Sequence, residues 1–203
     1  MSGKRLAVLL SGRGSNFLAI HDAIERDDLP AEIVLVVSNR AEAPGIARAR
    51  EIGYDAVVLP HREFETRDAH EKAVAAEIER RDVDLVLLAG YMRLLGEGFV
   101  ARFRNRILNI HPSLLPAFPG LDAQKQAVEY GVRVSGCTVH FVDEGLDSGP
   151  IIVQRAVPVN DGDSAEDLAA RILEEEHVAY VEAVRRLVTE PWTIEGRRVV
   201  FEG

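Results

Sequence analysis

The amino-terminal stretch reads Arg5-Leu6-Ala7-Val8-Leu9-Leu10-Ser11-Gly12-Arg13-Gly14-Ser15-Asn16. Its continuous apolar run is typical of a parallel strand that is buried on both faces. Small, flexible residues follow at once, and a helical pattern comes after them. The stretch therefore predicts a strand, a tight loop and a helix, which is the repeating unit of an α/β sheet.

Further short apolar runs are separated by stretches of helical character. With the first, they are Arg5 to Leu10, Ile33 to Val37, Ala56 to Leu59 and Leu85 to Leu88. This alternation predicts an α/β fold with a doubly wound, Rossmann-like, mostly parallel sheet flanked by helices. Such folds bind ligands beyond the carboxyl ends of their strands. The polar or flexible residues at these ends are Ser11, Ser38, Gly90 and Asn109.

The pattern changes after residue 133 and predicts a mixed carboxyl-terminal part of the sheet. Two strands, Val134 to Val142 and Ile151 to Val159, are joined by an acidic loop. Ser164 opens a long helix to about Thr189 with a capping-box pattern. A terminal hairpin, Thr193 to Phe201, follows.

The length of 203 residues predicts one domain. We expect an amino-terminal half of about residues 1–100, a carboxyl-terminal half of about 101–190 and a terminal hairpin at 191–203. The 24 basic and 33 acidic side chains give a net charge of −9, which argues against nucleic acid as a partner. An anionic ligand must therefore be held by a local positive site.

The single cysteine, Cys137, excludes an internal disulfide and is interpreted as a structural thiol in a strand. The run Leu6 to Leu10 is too short to span a membrane and lacks a signal-peptide cleavage pattern. We expect a cytoplasmic protein without a membrane partner. A monomer and a homodimer both agree with the sequence.

The loop Ser11 to Asn16 lies between a predicted strand and a predicted helix. Its backbone N–H groups can face an anion beside the helix N-terminus, which predicts a phosphate cradle. Phe17 stands where a dinucleotide fingerprint needs glycine, and no Walker lysine is present. A tight turn that only caps the helix remains the alternative.

A second motif is Asn109-Ile110-His111-Pro112-Ser113-Leu114-Leu115-Pro116. Asn109 and His111 share one face of a strand because they are two residues apart. Both side chains can donate hydrogen bonds at the strand's end, and two such donors can stabilise an oxyanion. A satisfied polar pair beside a turn is the alternative reading.

This motif resembles the signature of the folate-dependent formyltransferases. The stretch Asp143-Glu144-Gly145-Leu146-Asp147-Ser148-Gly149-Pro150 resembles the acidic loop of the same family, and the resemblance extends from about Arg5 to Glu190. It implies the formyltransferase fold and a catalytic trio of Asn109, His111 and Asp147. A carboxylate close to His111 would favour the imidazolium. Alternatively, Asp147 is a loop residue that bonds to its own backbone.

The resemblance also implies two sets of binding residues. The first, for glycinamide ribonucleotide, comprises Gly14, Ser15, Asn16, Pro112 and Glu176. The second, for folate, comprises Arg67, Met92, Arg93, Leu94, Leu95, Asn109, Val142, Asp143, Glu144, Gly145 and Asp147. Without the resemblance, Glu176 is interpreted as a glutamate at the edge of the buried face of the long helix, and Arg67 as a solvent-exposed side chain.

The implied activity is transfer of a formyl group from the co-substrate 10-formyltetrahydrofolate to the amine of glycinamide ribonucleotide in de novo purine biosynthesis. The products would be N-formylglycinamide ribonucleotide and tetrahydrofolate, formed by direct transfer through a tetrahedral intermediate. No metal is expected. The alternatives are a formyltetrahydrofolate deformylase, a non-catalytic sensor of a phosphate metabolite, and transfer to another amine.

Other chemistries fit the sequence less well. A metal site would use His111, His140, His177 and Asp147, but these lack the histidine spacing of a helical zinc motif. His140 is interpreted as structural. Ser113 lacks the elbow motif of a serine hydrolase. Gln124 stands where many relatives carry histidine, which leaves the contribution of that loop open.

Overall fold

The computed structural model describes residues 3–202. The chain divides between Leu108 and Asn109 into two compact units, the amino-terminal unit and the carboxyl-terminal unit. The division lies inside a strand, a few residues after the boundary expected from the sequence. That the two units form one domain stays a prediction.

The amino-terminal unit alternates strands and helices. Its elements are β1 (Lys4–Leu10), α1 (Ser15–Glu25), β2 (Ala31–Ser38), α2 (Pro44–Ile52), β3 (Ala56–Val58), α3 (Arg67–Glu79), β4 (Leu85–Leu88), α4 (Glu97–Arg102) and the start of β5 (Ile107–His111). The four apolar runs in the sequence are β1 to β4, and their bounds differ from the predictions by no more than two residues.

The first four strands are arranged in the order β3-β2-β1-β4, and β1 pairs in parallel with both β2 and β4. Leu6 to Leu10 of β1 are fully buried because this strand has neighbours on both sides and helices over the sheet. The strand order reverses between β1 and β4. Ligands of doubly wound sheets bind at such a switch point, beyond the carboxyl ends of the strands.

The carboxyl-terminal unit begins with the last residues of β5. Its other elements are α5 (Ala123–Tyr130), β6 (Val134–Phe141), β7 (Ile151–Pro158), α6 (Ala165–Thr189), β8 (Trp192–Glu195) and β9 (Arg198–Phe201). The strands follow the order β6-β7-β9-β8, with antiparallel β6–β7 and β8–β9 pairs and a parallel β7–β9 pair. The fold prediction is confirmed: the sheet is mostly parallel, mixed in its carboxyl-terminal part and flanked by helices.

The long helix α6 starts where the sequence predicts. The Ser164 hydroxyl accepts the Asp167 N–H, and the Asp167 carboxylate accepts the Ser164 N–H, which completes a capping box. One face of the helix packs against β6 and β7. The buried residues on that face include Leu168, Ile172, Glu176, Tyr180, Val184 and Leu187. Among residues 3–202, no helix combines the length and the apolar character needed to cross a bilayer.

Candidate active site

The loop after β1 leads directly into helix α1. Gly14 precedes the helix in the left-handed conformation, with φ of 73°, and provides no side-chain cap. The first turn of α1, which begins with Ser15 and Asn16, carries no acidic side chain. The helix therefore presents the positive end of its dipole to this loop, as an anion-binding site requires.

Gly45, the second residue of α2, holds the same loop from the other side. Its N–H donates to the Gly12 carbonyl at 3.0 Å. A Cβ atom on Gly45 would lie 2.9 Å from that carbonyl oxygen and 3.0 Å from Leu10 Cδ2. Only glycine allows this approach of helix and loop, a requirement that the sequence analysis missed.

We expect Gly45→Ala to displace the loop around Gly12 and to raise the KM for an anionic substrate several-fold, with a smaller effect on kcat. Gly98→Ala is the matched control, because Gly98 also lies in the first turn of a helix and a Cβ atom there has open space. Steady-state kinetics of both variants test this expectation. Equal KM values in the two variants would contradict it.

The loop after β4, Gly90 to Gly96, contains four of the residues assigned to folate. Met92 and Leu94 are 68% and 69% exposed, which is unusual for large apolar side chains and suits contact with a ligand. Burial raises the pKa of Tyr91 to about 12. Arg93 and Leu95 are half-buried. The loop thus presents apolar side chains at the switch point of the sheet.

Arg67 is the first residue of α3, and its Nε lies 2.7 Å from Glu71 Oε1. The same carboxylate oxygen accepts the Gly96 N–H at 2.9 Å. In this structure Arg67 therefore supports the end of the Gly90–Gly96 loop through Glu71. Direct contact between Arg67 and folate stays a prediction.

In the carboxyl-terminal unit, the structure brings the predicted catalytic trio close together. Asn109 and His111 lie at the end of β5, and Asp147 lies in the loop between β6 and β7. His111 Nδ1 is 3.4 Å from Asp147 Oδ2. The Gly120 N–H donates to the same oxygen at 2.8 Å, which holds the carboxylate beside the imidazole.

The two nitrogens of His111 have different surroundings. Nε2 lies 2.8 Å from the Phe118 carbonyl oxygen and must carry a hydrogen to bond with it. Nδ1 faces Asp147 at a distance longer than an ordinary hydrogen bond. Nδ1 is therefore the ring nitrogen that is not committed to a backbone hydrogen bond.

His140 on β6 belongs to the same cluster, although the sequence indicated only a structural role. The buried ring places Nδ1 2.8 Å from the Phe141 carbonyl oxygen, so Nδ1 is the protonated nitrogen. Burial lowers the pKa of His140, and the neutral ring leaves Nε2 as an acceptor. Asn109 Nδ2 lies 3.4 Å from it and can donate one hydrogen there, which leaves its second hydrogen for a ligand.

The buried histidines predict a loss of stability in mild acid. Burial lowers the pKa of both His70 and His140 below the ordinary 6.5. Below pH 6.5 the unfolded chain therefore binds more protons than the folded one, and the free energy of unfolding falls with pH by up to about 1.4 kcal/mol per pH unit for each histidine.

Urea unfolding between pH 7.5 and pH 5 measures this slope in a range above the ordinary carboxyl pKa values. His70→Asn is expected to make the slope shallower. A free energy of unfolding that does not change over this range would contradict the expectation.

The loop after His111 is anchored by polar side chains that sequence reasoning did not identify. The Thr138 hydroxyl donates to the Ser113 carbonyl at 2.7 Å and accepts the Leu115 N–H at 3.0 Å. Gln154 Nε2 donates to the Leu115 carbonyl at 2.9 Å. These bonds hold the chain that follows Pro112 at the carboxyl end of β5. In the sequence, the only indication of these bonds is that two polar residues, Thr138 and Gln154, interrupt apolar strands.

The acidic loop is shaped by its own side chains. Asp143 Oδ1 accepts the Gly145 N–H at 3.1 Å and the Ser148 hydroxyl at 2.6 Å. A Cβ atom on Gly145 would lie 2.1 Å from the Ser148 hydroxyl oxygen. Val142 and Glu144 complete the turn. Asp143 thus bonds within the loop, whereas Asp147 reaches His111.

Glu176 is only 9% exposed on the inner face of α6. Burial, together with the negative charge of Glu176, raises the pKa of the Cys137 thiol to about 12, so Cys137 is no nucleophile near neutral pH. Gln124 is half-buried in α5. The role of Glu176 in binding an amine stays a prediction.

The rival chemistries find little support in the geometry. Across residues 3–202, no three His, Cys, Asp or Glu side chains are grouped so that they could hold a metal ion. That the reaction needs no metal stays a prediction. The Ser113 hydroxyl donates to the Ala117 carbonyl at 2.5 Å rather than to a histidine, so the arrangement differs from that of a serine hydrolase.

The sheet and its cluster of amide, imidazole and carboxylate agree with the family that the sequence resembles. The chain belongs to the formyl transferase family, whose model matches residues 4–184. Phosphoribosylglycinamide formyltransferase of Escherichia coli (strain K12) is 41% identical over 197 residues, which are 97% of this chain and 90% of that protein. The trifunctional purine biosynthetic protein adenosine-3 of Drosophila pseudoobscura pseudoobscura is 49% identical over 92% of this chain. This chain spans only 14% of that longer protein.

Solved structures agree with this assignment. Glycinamide ribonucleotide transformylase 1 from Symbiobacterium toebii matches with a TM-score of 0.95 and 52% identity, over 98% of this chain and 94% of that one. A formyltetrahydrofolate deformylase from Burkholderia mallei matches with a TM-score of 0.90 and 29% identity, over 99% of this chain and 70% of that one. The fold is therefore shared by transferases and a hydrolase.

Proposed function

We propose that the chain transfers the formyl group of 10-formyltetrahydrofolate to the amine of glycinamide ribonucleotide. The observation that carries the proposal is the arrangement of Asn109 and His111 at the end of β5, with Asp147 of the β6–β7 loop beside His111. The 41% identity to the phosphoribosylglycinamide formyltransferase of E. coli, over nearly the whole of both chains, supports this choice of acceptor.

The first step is attack of the glycinamide amine on the formyl carbon. A carbon–nitrogen bond forms, and the electrons of the C=O π bond move to the formyl oxygen. Asn109 donates its second Nδ2 hydrogen to this oxygen, and His111 donates from Nδ1 when that nitrogen carries a hydrogen. Donors aimed at the developing charge lower the barrier, because the charge exists fully only in the intermediate.

The second step is collapse of the tetrahedral intermediate. The oxygen electrons re-form the C=O bond, the bond from carbon to N10 of the folate breaks, and N10 takes up a proton. The amine has lost a proton by the same stage. Asp147 beside His111 Nδ1 can accept one proton and return another, directly or through water.

The two substrates would be held by the residues that the family resemblance assigns. Gly14, Ser15 and Asn16 at the start of α1 would bind the phosphate, and Glu176 would orient the amine. The exposed apolar side chains of Met92 and Leu94 would contact folate. A cytoplasmic monomer or homodimer is part of the proposal.

A deformylase is the second candidate, because the Burkholderia structure shares the fold. In that reaction water replaces the amine, so neither a phosphate cradle nor Glu176 is needed. The loop before α1 contains Gly12 and Gly14 and can bind a phosphate, which favours the transferase.

Folate absorbance distinguishes the candidates. Purified protein is mixed with 10-formyltetrahydrofolate, once with glycinamide ribonucleotide and once without it. The proposal expects turnover only with the acceptor. Equal turnover in both mixtures would indicate a deformylase, and no turnover in either would favour another acceptor or a sensor.

A further inference from the structure

Ser11 lies at the switch point of the sheet and contacts two loops. It is the first residue after β1 and is 4% exposed. Its backbone N–H donates to the Gly90 carbonyl at 3.1 Å, and its Oγ accepts the Met92 N–H at 2.8 Å. One residue of the phosphate loop thus fixes the start of the loop assigned to folate.

The hydroxyl of Ser11 is itself held by a buried partner. Met92 N–H can only donate, so the hydroxyl hydrogen is left for Asn39 Oδ1, which lies 2.6 Å away. Asn39 is 2% exposed, and its Nδ2 lies 3.5 Å from His61 Nδ1. A directed chain of hydrogen bonds therefore joins the ends of β4, β1 and β2.

The far end of the Gly90–Gly96 loop has a separate support. Glu71 on α3 accepts the Gly96 N–H at 2.9 Å. This contact does not involve the phosphate loop. The folate loop is thus anchored at two points, one shared with the phosphate loop and one independent of it. This difference allows the two anchors to be tested against each other.

Two loops that share one buried, doubly bonded hydroxyl cannot move independently. An anion bound in the loop Ser11 to Asn16 restrains Ser11 and, through its Oγ, the backbone of Met92. The bound anion has then already ordered part of the folate loop, so folate binding loses less conformational entropy. By linkage, folate must improve binding of the anion by the same factor.

We infer that Ser11 is a positioning residue that couples the two substrate sites: binding of glycinamide ribonucleotide raises the affinity for folate through the Ser11 hydroxyl. This inference rests on the proposed function, since it takes the loop before α1 as the phosphate site and Gly90 to Gly96 as the folate site. Ser11 touches neither reacting centre in this account.

Calorimetry of the whole chain tests the coupling with tetrahydrofolate, which carries no formyl group and cannot react. The dissociation constant is measured with and without saturating glycinamide ribonucleotide. For the unmodified protein we expect the ribonucleotide to tighten tetrahydrofolate binding by a factor of about 5 or more, within the usual range of coupling. For Ser11→Ala we expect a factor below about 2.

Two further variants serve as comparisons. Ser38→Ala is the matched control, because Ser38 is equally buried at the end of β2 but its hydroxyl bonds only within its own turn, to the Arg40 N–H and carbonyl. It should retain the full coupling. Glu71→Gln should weaken tetrahydrofolate binding while the ratio of the two dissociation constants stays unchanged.

The outcomes separate the inference from the function on which it rests. If both ligands bind the unmodified protein without affecting each other, or if Ser11→Ala keeps the coupling, the inference is overturned while the proposed function stands. If glycinamide ribonucleotide does not bind, both are overturned. The measurement on the unmodified protein needs no variant: if it shows no coupling, the inference fails whether or not Ser11→Ala folds.

Discussion

Asp147→Asn is expected to lower kcat by a factor of about 10² to 10⁴, the usual contribution of a positioned acid or base. The carboxylate lies 3.4 Å from His111 Nδ1, and an amide there can neither accept a proton nor stabilise the imidazolium. Asparagine should leave the backbone intact, because Asp147 has φ of 47° and asparagine tolerates this left-handed region. Its amide oxygen can still accept the Gly120 N–H.

Asp82→Asn is the matched control for this variant. Asp82 has nearly the same φ, 46°, in the turn after α3 and makes no contact with His111. It carries the same change of charge and side chain and should leave kcat unchanged. Rapid-mixing kinetics at saturating substrates measure the effect. An Asp147→Asn protein that keeps more than a tenth of the kcat would remove Asp147 from proton transfer.

Asn109→Ala is expected to lower kcat by a factor of about 10² to 10³, equivalent to about 2.7–4 kcal/mol, as for loss of one oxyanion donor. The effect should fall on kcat more than on ground-state binding, because the donor acts on a charge that develops in the transition state. Its orientation depends on the acceptor Nε2 of His140, 3.4 Å away. The neutral state of His140 is therefore needed to orient the Asn109 amide.

Tetrahydrofolate binding and kcat are measured on the same Asn109→Ala preparation. Asn160→Ala, an exposed asparagine after β7, is the control for loss of an amide. An Asn109→Ala protein with unchanged kcat would exclude Asn109 from the mechanism. An equal loss in binding and in kcat/KM would assign it to substrate binding instead.

The sequence was sufficient for the features that depend on local patterns. The apolar run of β1 predicts a buried parallel strand because every residue from Leu6 to Leu10 must be covered. The capping box at Ser164 follows from side chains three residues apart. The placement of Asn109 and His111 on one strand follows from the two-residue period of a strand.

The remaining features depend on contacts between distant parts of the chain. His140 supports Asn109 only because its Nδ1 bonds to the Phe141 carbonyl, a backbone direction that no side-chain pattern reveals. The contact of Ser11 with Met92 spans 81 residues. Phe118, with φ of 52°, brings its carbonyl to His111 through a loop conformation rare for a bulky residue. Such pairings require the tertiary structure.

The most direct test of formyl transfer follows the fate of the carbon itself. Folate carrying a ¹³C-labelled formyl group is mixed with protein and glycinamide ribonucleotide, and the products are identified by NMR. The account predicts one labelled formamide on the ribonucleotide for each tetrahydrofolate formed. Label recovered as free formate, with the ribonucleotide amine unchanged, would contradict it.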